Sequence, residues 1–146
     1  MFQVRLHGRG GQDVATMAGL LAVAAPDAGR HAQAFPGSGS EPMGAPVMSN
    51  CRIDDQSIPT NKPVPEPDAL IIQDPRLLDL ADLFAGLGRD SYVLINSVLG
   101  LGELGPTNLA RGYHPDRWLV VSASSLAVTT FGRPLPGAPL LGGSPR

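Results

Sequence analysis

The chain is 146 residues long, 42% hydrophobic, with a net charge of −2, eleven basic residues of which only Lys62 is a lysine, and no run of like charges. That length suits one domain able to bury its own core, and the charge distribution argues against nucleic acid or an anionic membrane as a partner. No apolar run approaches the ~20 residues that span a bilayer, and residues 1–7 lack the form of a secretory signal, so a soluble cytoplasmic protein is expected.

Phe2-Gln3-Val4-Arg5-Leu6-His7 alternates apolar and polar residues and runs into Gly8-Arg9-Gly10-Gly11, which predicts a strand ending in a tight loop. From Gln12 onward Val14, Met17, Leu20 or Leu21 and Ala24 recur at helical spacing, with Pro26 and Gly29 as the stop. A helix of about four turns follows the loop. Residues 31–35 are a short second strand candidate, Pro36-Gly37-Ser38-Gly39-Ser40 is loop, and residues 46–53 read as a longer strand. Asp54-Asp55-Gln56 is expected to turn the chain back through Ser57-Ile58-Pro59, giving an inserted β-meander or hairpin over about residues 31–60. Cys51, the only cysteine, sits in the middle of that longer strand. It excludes an internal disulfide, a cysteine-ligated cluster or a structural zinc site built from this chain, and reads as a buried structural thiol.

Ala69-Leu70-Ile71-Ile72 is a continuous apolar run ending at Gln73-Asp74-Pro75, the mark of a parallel strand buried on both faces. Leu77, Leu78, Leu80, Ala81 and Phe84 are then expected on an amphipathic helix closed by Gly86 and Gly88. Tyr92-Val93-Leu94-Ile95 is another buried strand ending at Asn96-Ser97. Trp118-Leu119-Val120-Val121 is a further one, followed by Ser124 as the N-cap of a short helix to Phe131. Strands alternating with helices predict an α/β fold, a mainly parallel sheet flanked by helices, in a single domain over residues 1–146. Gly and Pro number 18 and 15, concentrated so that residues 134–146 read as an irregular tail. In such sheets ligands sit off the carboxyl ends of the strands, here residues 8–12, Asp74 and Asn96-Ser97.

A strand, then Gly8-x-Gly10-Gly11-Gln12, then a helix can cradle an anion, because glycines let backbone amides approach a phosphate and the helix N-terminus carries partial positive charge. The sixth position of that motif is Asp13 rather than Gly, and a carboxylate there competes with an anion for the same donors. A tight turn needing φ > 0 and a nucleotide-type site remain equally open on this motif, with Arg9 tipping it toward anions. Around it, His7 is expected to orient the loop by a hydrogen bond, His31 and His114 to be solvated, Asp54-Asp55 to belong to a turn, and Met17 to be core. Asp74 could equally cap the next helix.

His7-Gly8-Arg9-Gly10-Gly11-Gln12 with its Ala-rich helix, Ala32-Gln33-Ala34-Phe35-Pro36, Glu41-x-x-Gly44-Ala45-Pro46-Val47 and Arg52-Ile53-Asp54-Asp55 together resemble the gamma subunit of pyruvate:ferredoxin oxidoreductase and its 2-oxoacid relatives. Glu66-Pro67-Asp68, Gln73-Asp74-Pro75, Leu94-Ile95-Asn96, Gly132-Arg133-Pro134 with Pro136, and Leu140-Leu141-Gly142 follow in the same order. The resemblance implies a Rossmann-like sheet and a subunit of an enzyme that oxidatively decarboxylates a 2-oxoacid, passes the acyl group to coenzyme A and the electrons to ferredoxin or flavodoxin. Thiamine diphosphate, Mg and the iron–sulfur clusters would then belong to partner subunits. It implies further that Gly8, Arg9, Gly10, Gly11, Gln12, Glu41, Gly44, Asp74 and Asn96 are the candidates for coenzyme A contact. No catalytic residue or metal ligand is expected on this chain, and the chain alone is expected to be inactive.

Two departures from the family bear on that site. The family usually has Gly where this chain has Asp13, and basic residues where it has Pro42-Met43, which lowers positive potential at the loop and leaves Arg9 as the cation within the motif. The family also usually continues with a further helix beyond Leu140-Leu141-Gly142, so apolar surface needing cover is expected. A non-catalytic assembly or accessory domain, or a nucleotide-binding module derived from the family, is the alternative reading.

Overall fold

A computed structural model of the chain describes residues 1–26, 29–36, 44–59, 64–79, 83–100, 103 and 114–131. The alternating segment at the start forms β1 (Phe2–Arg9), and the glycine loop delivers the chain into α1 (Val14–Ala24). β2 (His31–Pro36) and β3 (Pro46–Asp54) follow as an antiparallel pair, then β4 (Ala69–Ile72), β5 (Tyr92–Asn96), β6 (Trp118–Val121) and α2 (Ala123–Phe131). They make one six-stranded sheet in the order β2-β3-β1-β4-β5-β6. β1, β4, β5 and β6 are mutually parallel, and β3 runs antiparallel to both β1 and β2. The sheet is therefore the expected α/β frame carrying an antiparallel hairpin on one side.

Because successive side chains on a strand face opposite ways, the sheet divides its core in two. On one face Val4, Leu6, Cys51, Ala69, Ile71 and Leu94 pack with Val14, Met17 and Ala18 of α1 and with Ala123 of α2. On the other, Leu70, Ile72, Val93, Ile95 and Trp118 pack with Leu77, Leu78 and Leu83, and Phe84 stacks on Trp118 with ring centroids 5.6 Å apart. Every residue of β4 is buried, as its unbroken apolar run required. Cys51 is fully buried, and burial pushes its thiol up to about 11, which keeps it a protonated, unreactive core group. Towards the amino ends of the strands the first face leaves an apolar hollow of about 270 Å³ between Val4, Leu21, Ile71, Tyr92, Leu94 and Leu119.

Four local expectations are corrected. α1 has 11 residues, about three turns rather than four. The segment after β4 opens as a 3-10 helix (Pro75–Asp79), a tighter winding that places Leu77 and Leu78 in the core directly after the strand. Leu80 and Ala81 lie outside the described residues. Asp54-Asp55-Gln56 does not return the chain in a hairpin: Asp54 Oδ1 accepts from the amides of Asp55 and Gln56 at 2.7 and 3.3 Å, a local side-chain turn, and residues 57–59 form no strand. β3 takes its partners from β2 and β1 instead. Ser124 lies inside α2 rather than at its N-cap. The tail, residues 134–146, falls outside the described residues.

Candidate functional site

Gly8, where β1 gives way to the loop, faces α1. A Cβ there would lie 2.4 Å from Val14 Cγ2, so only glycine allows the helix to start directly against the strand. Two carboxamides then fix the loop. Gln12 Oε1 accepts from the Arg9 amide at 2.8 Å, the Gln12 amide returns to Arg9 O at 3.0 Å, and Gln73 Nε2 donates to Gln12 O at 2.7 Å. The Gln73 amide also donates to His7 O at 2.8 Å, tying the end of β1 to the end of β4.

The turn at residues 44–46 joins the same loop. Gly10 N donates to Ala45 O at 2.8 Å, Gly44 N donates to Gly10 O at 3.1 Å, and Arg9 Nη1 donates to Gly44 O at 2.9 Å. Gly44 has φ of 81°, a left-handed conformation that glycine adopts without strain. Glu41 lies outside the described residues.

Asp74 is the hub of this edge. Its carboxylate, only 4% exposed, accepts from Arg76 Nε at 3.0 Å on Oδ1 and from Arg76 Nη2 at 2.6 Å on Oδ2. The Arg76 amide reaches Oδ1 at 3.0 Å, Gln12 Nε2 reaches Oδ2 at 3.3 Å, and Arg9 Nε lies 3.3 Å from the same oxygen. Arg76, by its hydrogen bonds first and its charge as well, holds the Asp74 carboxyl down at about 2. One carboxylate thus gathers two guanidinium groups.

Both helices of the first face begin at this edge. Asp13, at the N-cap of α1, is held at φ 54° and ψ 40° and makes no side-chain cap bond, so the first amides of α1 have no side-chain acceptor at the N-cap. α2 is capped from another element: Asn96 Oδ1 accepts from the amides of Ala123 and Ser124 at 3.0 and 3.2 Å, and Asn96 Nδ2 donates to Gln73 O and Ser124 Oγ, each at 2.9 Å. Asn96 thus joins the start of α2 to the end of β4.

Gly8, Arg9, Gly10, Gly11, Gln12, Gly44 and Asp74 therefore form one constellation, with Asn96 supporting it from β5. Two contributors escaped the sequence reading. Gln73 entered it only as the end of a strand and part of a motif, and Arg76, one residue past Asp-Pro, carries no local signal. His7 does not orient the loop through its ring: Nε2 accepts from Arg5 Nε at 3.1 Å, and burial, then the Arg5 charge, lowers its pKa to about 4. With that ring neutral, the edge offers amide and guanidinium donors and, among the described residues, no base poised near neutrality, a set of groups suited to an anion rather than to proton transfer. Among the described residues no group of three or more His, Cys, Asp or Glu could hold a metal ion, and no helix is long and apolar enough to cross a membrane.

The model for the family described as pyruvate ferredoxin/flavodoxin oxidoreductase matches residues 3–144. The chain is 39% identical to the pyruvate/ketoisovalerate oxidoreductases common subunit gamma of Pyrococcus abyssi, over 97% of this chain and 75% of that one. It is 37% identical to pyruvate synthase subunit PorC of Methanothermobacter marburgensis, with the same coverage. The crystal structure of pyruvate oxidoreductase subunit PORC from Thermotoga maritima superposes with a TM-score of 0.77 at 32% identity, covering 97% of this chain and 72% of that one.

Proposed function

The chain belongs to the pyruvate ferredoxin/flavodoxin oxidoreductase family, and on that premise we propose that it is the gamma-type subunit of a 2-oxoacid:acceptor oxidoreductase complex, contributing a coenzyme A contact from the carboxyl edge of its sheet. Similarity to gamma and PorC subunits along nearly the whole chain supports the first part. The observation that carries the second is the gathering of a glycine loop, an α1 N-terminus without a side-chain cap and two arginines on one edge.

Coenzyme A supplies the acyl-accepting thiol, and this chain would hold and orient its anionic groups. Thiamine diphosphate, Mg and the iron–sulfur clusters are assigned to partner subunits. The lone cysteine, fully buried, does not fit a cluster, and the constellation at the edge contains no ligand set for Mg. The chain by itself performs no 2-oxoacid oxidation, and ferredoxin or flavodoxin meets it through the complex. An accessory role without ligand contact is the competing reading, favoured by the exposed carboxylate of Asp13 at the mouth of the loop.

Calorimetric titration of coenzyme A into the assembled complex, wild type against Asp13→Gly, separates the two. Removing the carboxylate from the helix N-terminus is expected to tighten binding by about 0.3–1 kcal/mol, an effect that shrinks as salt is added. Unchanged affinity would leave the loop as a tight turn only.

A further inference from the structure

Arg9 and Arg76 share Asp74 but are presented differently. Arg9, 28% exposed, spends Nη1 on Gly44 O and lies with Nε against Asp74, so its guanidinium fastens the turn at residues 44–46 to the loop. Arg76 is 73% exposed. Its Nε and one Nη2 hydrogen meet the carboxylate side-on, while Nη1 and the second Nη2 hydrogen have no partner among the described residues. A carboxylate neutralises one guanidinium, so the pair of arginines keeps one positive charge, and the outward-facing member presents it. The bidentate pairing also holds the planar fork in one orientation before a ligand arrives, which reduces the ordering cost of binding.

We propose that Arg76 is the specificity-determining cation of this edge, meeting a phosphate group of coenzyme A with its outer N–H groups, and that Arg9 is a positioning residue acting through the loop. This rests on the coenzyme A reading above and replaces the expectation that Arg9 is the ligand-facing cation. A guanidinium fork matches phosphate oxygens in pairs, and Asp74, lying beneath it, supplies the orientation without competing for the outer hydrogens.

The test uses the assembled complex, with coenzyme A as the probe and turnover followed with a dye acceptor. Arg76→Gln is expected to raise the KM for coenzyme A about tenfold, equivalent to about 1.4 kcal/mol, with kcat unchanged and the melting temperature lowered slightly by loss of the Asp74 pairing. Arg76→Lys should recover part of the loss, since a point charge lacks the fork, and Arg76→Gln should flatten the salt dependence of KM. Arg9→Gln should lower the melting temperature and change KM less than Arg76→Gln does. If Arg9→Gln raises KM while Arg76→Gln does not, the coenzyme A reading stands and this assignment is overturned. If Arg9→Gln, Arg76→Gln and Asp13→Gly all leave coenzyme A affinity untouched, the coenzyme A reading itself falls, and the assignment with it.

Discussion

Arg5 and Arg9 stand four residues apart on β1 and point to the same face of the sheet, yet their surroundings differ. Arg5 is 5% exposed and, among the described residues, meets no carboxylate. Its Nη2 donates to Leu83 O and Ala85 O at 2.9 and 2.8 Å, its Nη1 to Val64 O at 3.4 Å, and its Nε to His7. Carbonyl dipoles surround the charge, and burial lowers its pKa from the ordinary arginine value. At the carboxyl edge, Arg9 and Arg76 lean on one shared carboxylate. A cation enclosed by carbonyls cannot leave without orphaning all of them, so Arg5 belongs to the fold. Cations that outnumber their carboxylate keep charge to offer, which is the basis for proposing recognition at the edge.

The contrast breaks first at Arg5. Arg5→Met should cost about 3 kcal/mol or more, because it removes a charged donor from several buried acceptors at once. A loss below about 1 kcal/mol in a urea melt would mean that the carbonyls find water instead. Gly8→Ala comes next: its methyl would occupy the space of Val14 Cγ2, so a cost of about 2 kcal/mol is expected from overpacking, read as a lower midpoint with unchanged slope. An unaltered midpoint would show that α1 can step aside freely.

Acid distinguishes the two regions next. The Asp74 carboxyl sits near 2 in the folded chain, below its ordinary value, so its contribution is complete above about pH 4 and is lost as pH falls towards 2. Allowing for solvent screening around Arg76, that contribution is on the order of 1 kcal/mol. His7 acts in a higher window: with its folded pKa near 4, the unfolded chain takes up a proton first, so stability falls as pH drops from about 6.5 to 4. Asp74→Asn should erase the lower limb and His7→Gln the upper one. Loss of both limbs in either variant would show that the two regions are not separable. The smallest effect is a gain. Asp13 sits in the left-handed region, so Asp13→Gly should stabilise the fold by about 1 kcal/mol; a lower melting temperature would contradict that account.

The legible features were local ones. The alternation of Phe2 to His7, the glycines after it and the unbroken Ala69-Leu70-Ile71-Ile72 are signals carried by neighbouring residues, and β1, its loop and β4 bear them out. The joining of residues 44–46 to the loop is set by long-range hydrogen bonds, and no local feature places them together. Features set by distant partners stayed hidden. Asp54 was read as a hairpin turn, but β3 pairs with strands on either side of it rather than with residues 57–59. Asn96 was expected at the ligand crevice as a polar residue at a strand end, and that its carboxamide caps a helix beginning 27 residues later is something no local pattern signals. Arg76 carried no signal because exposure, the feature on which its proposed role rests, is common to surface arginines.

The central claim is that this chain is an obligatory, non-catalytic subunit of a 2-oxoacid oxidoreductase. Pyruvate-dependent dye reduction in the presence of coenzyme A, measured on the purified chain, on the partner subunits without it, and on the reassembled complex, tests that claim most directly. Turnover is predicted only in the reassembled complex; turnover by the purified chain alone, or undiminished turnover by the partners without it, would contradict the account.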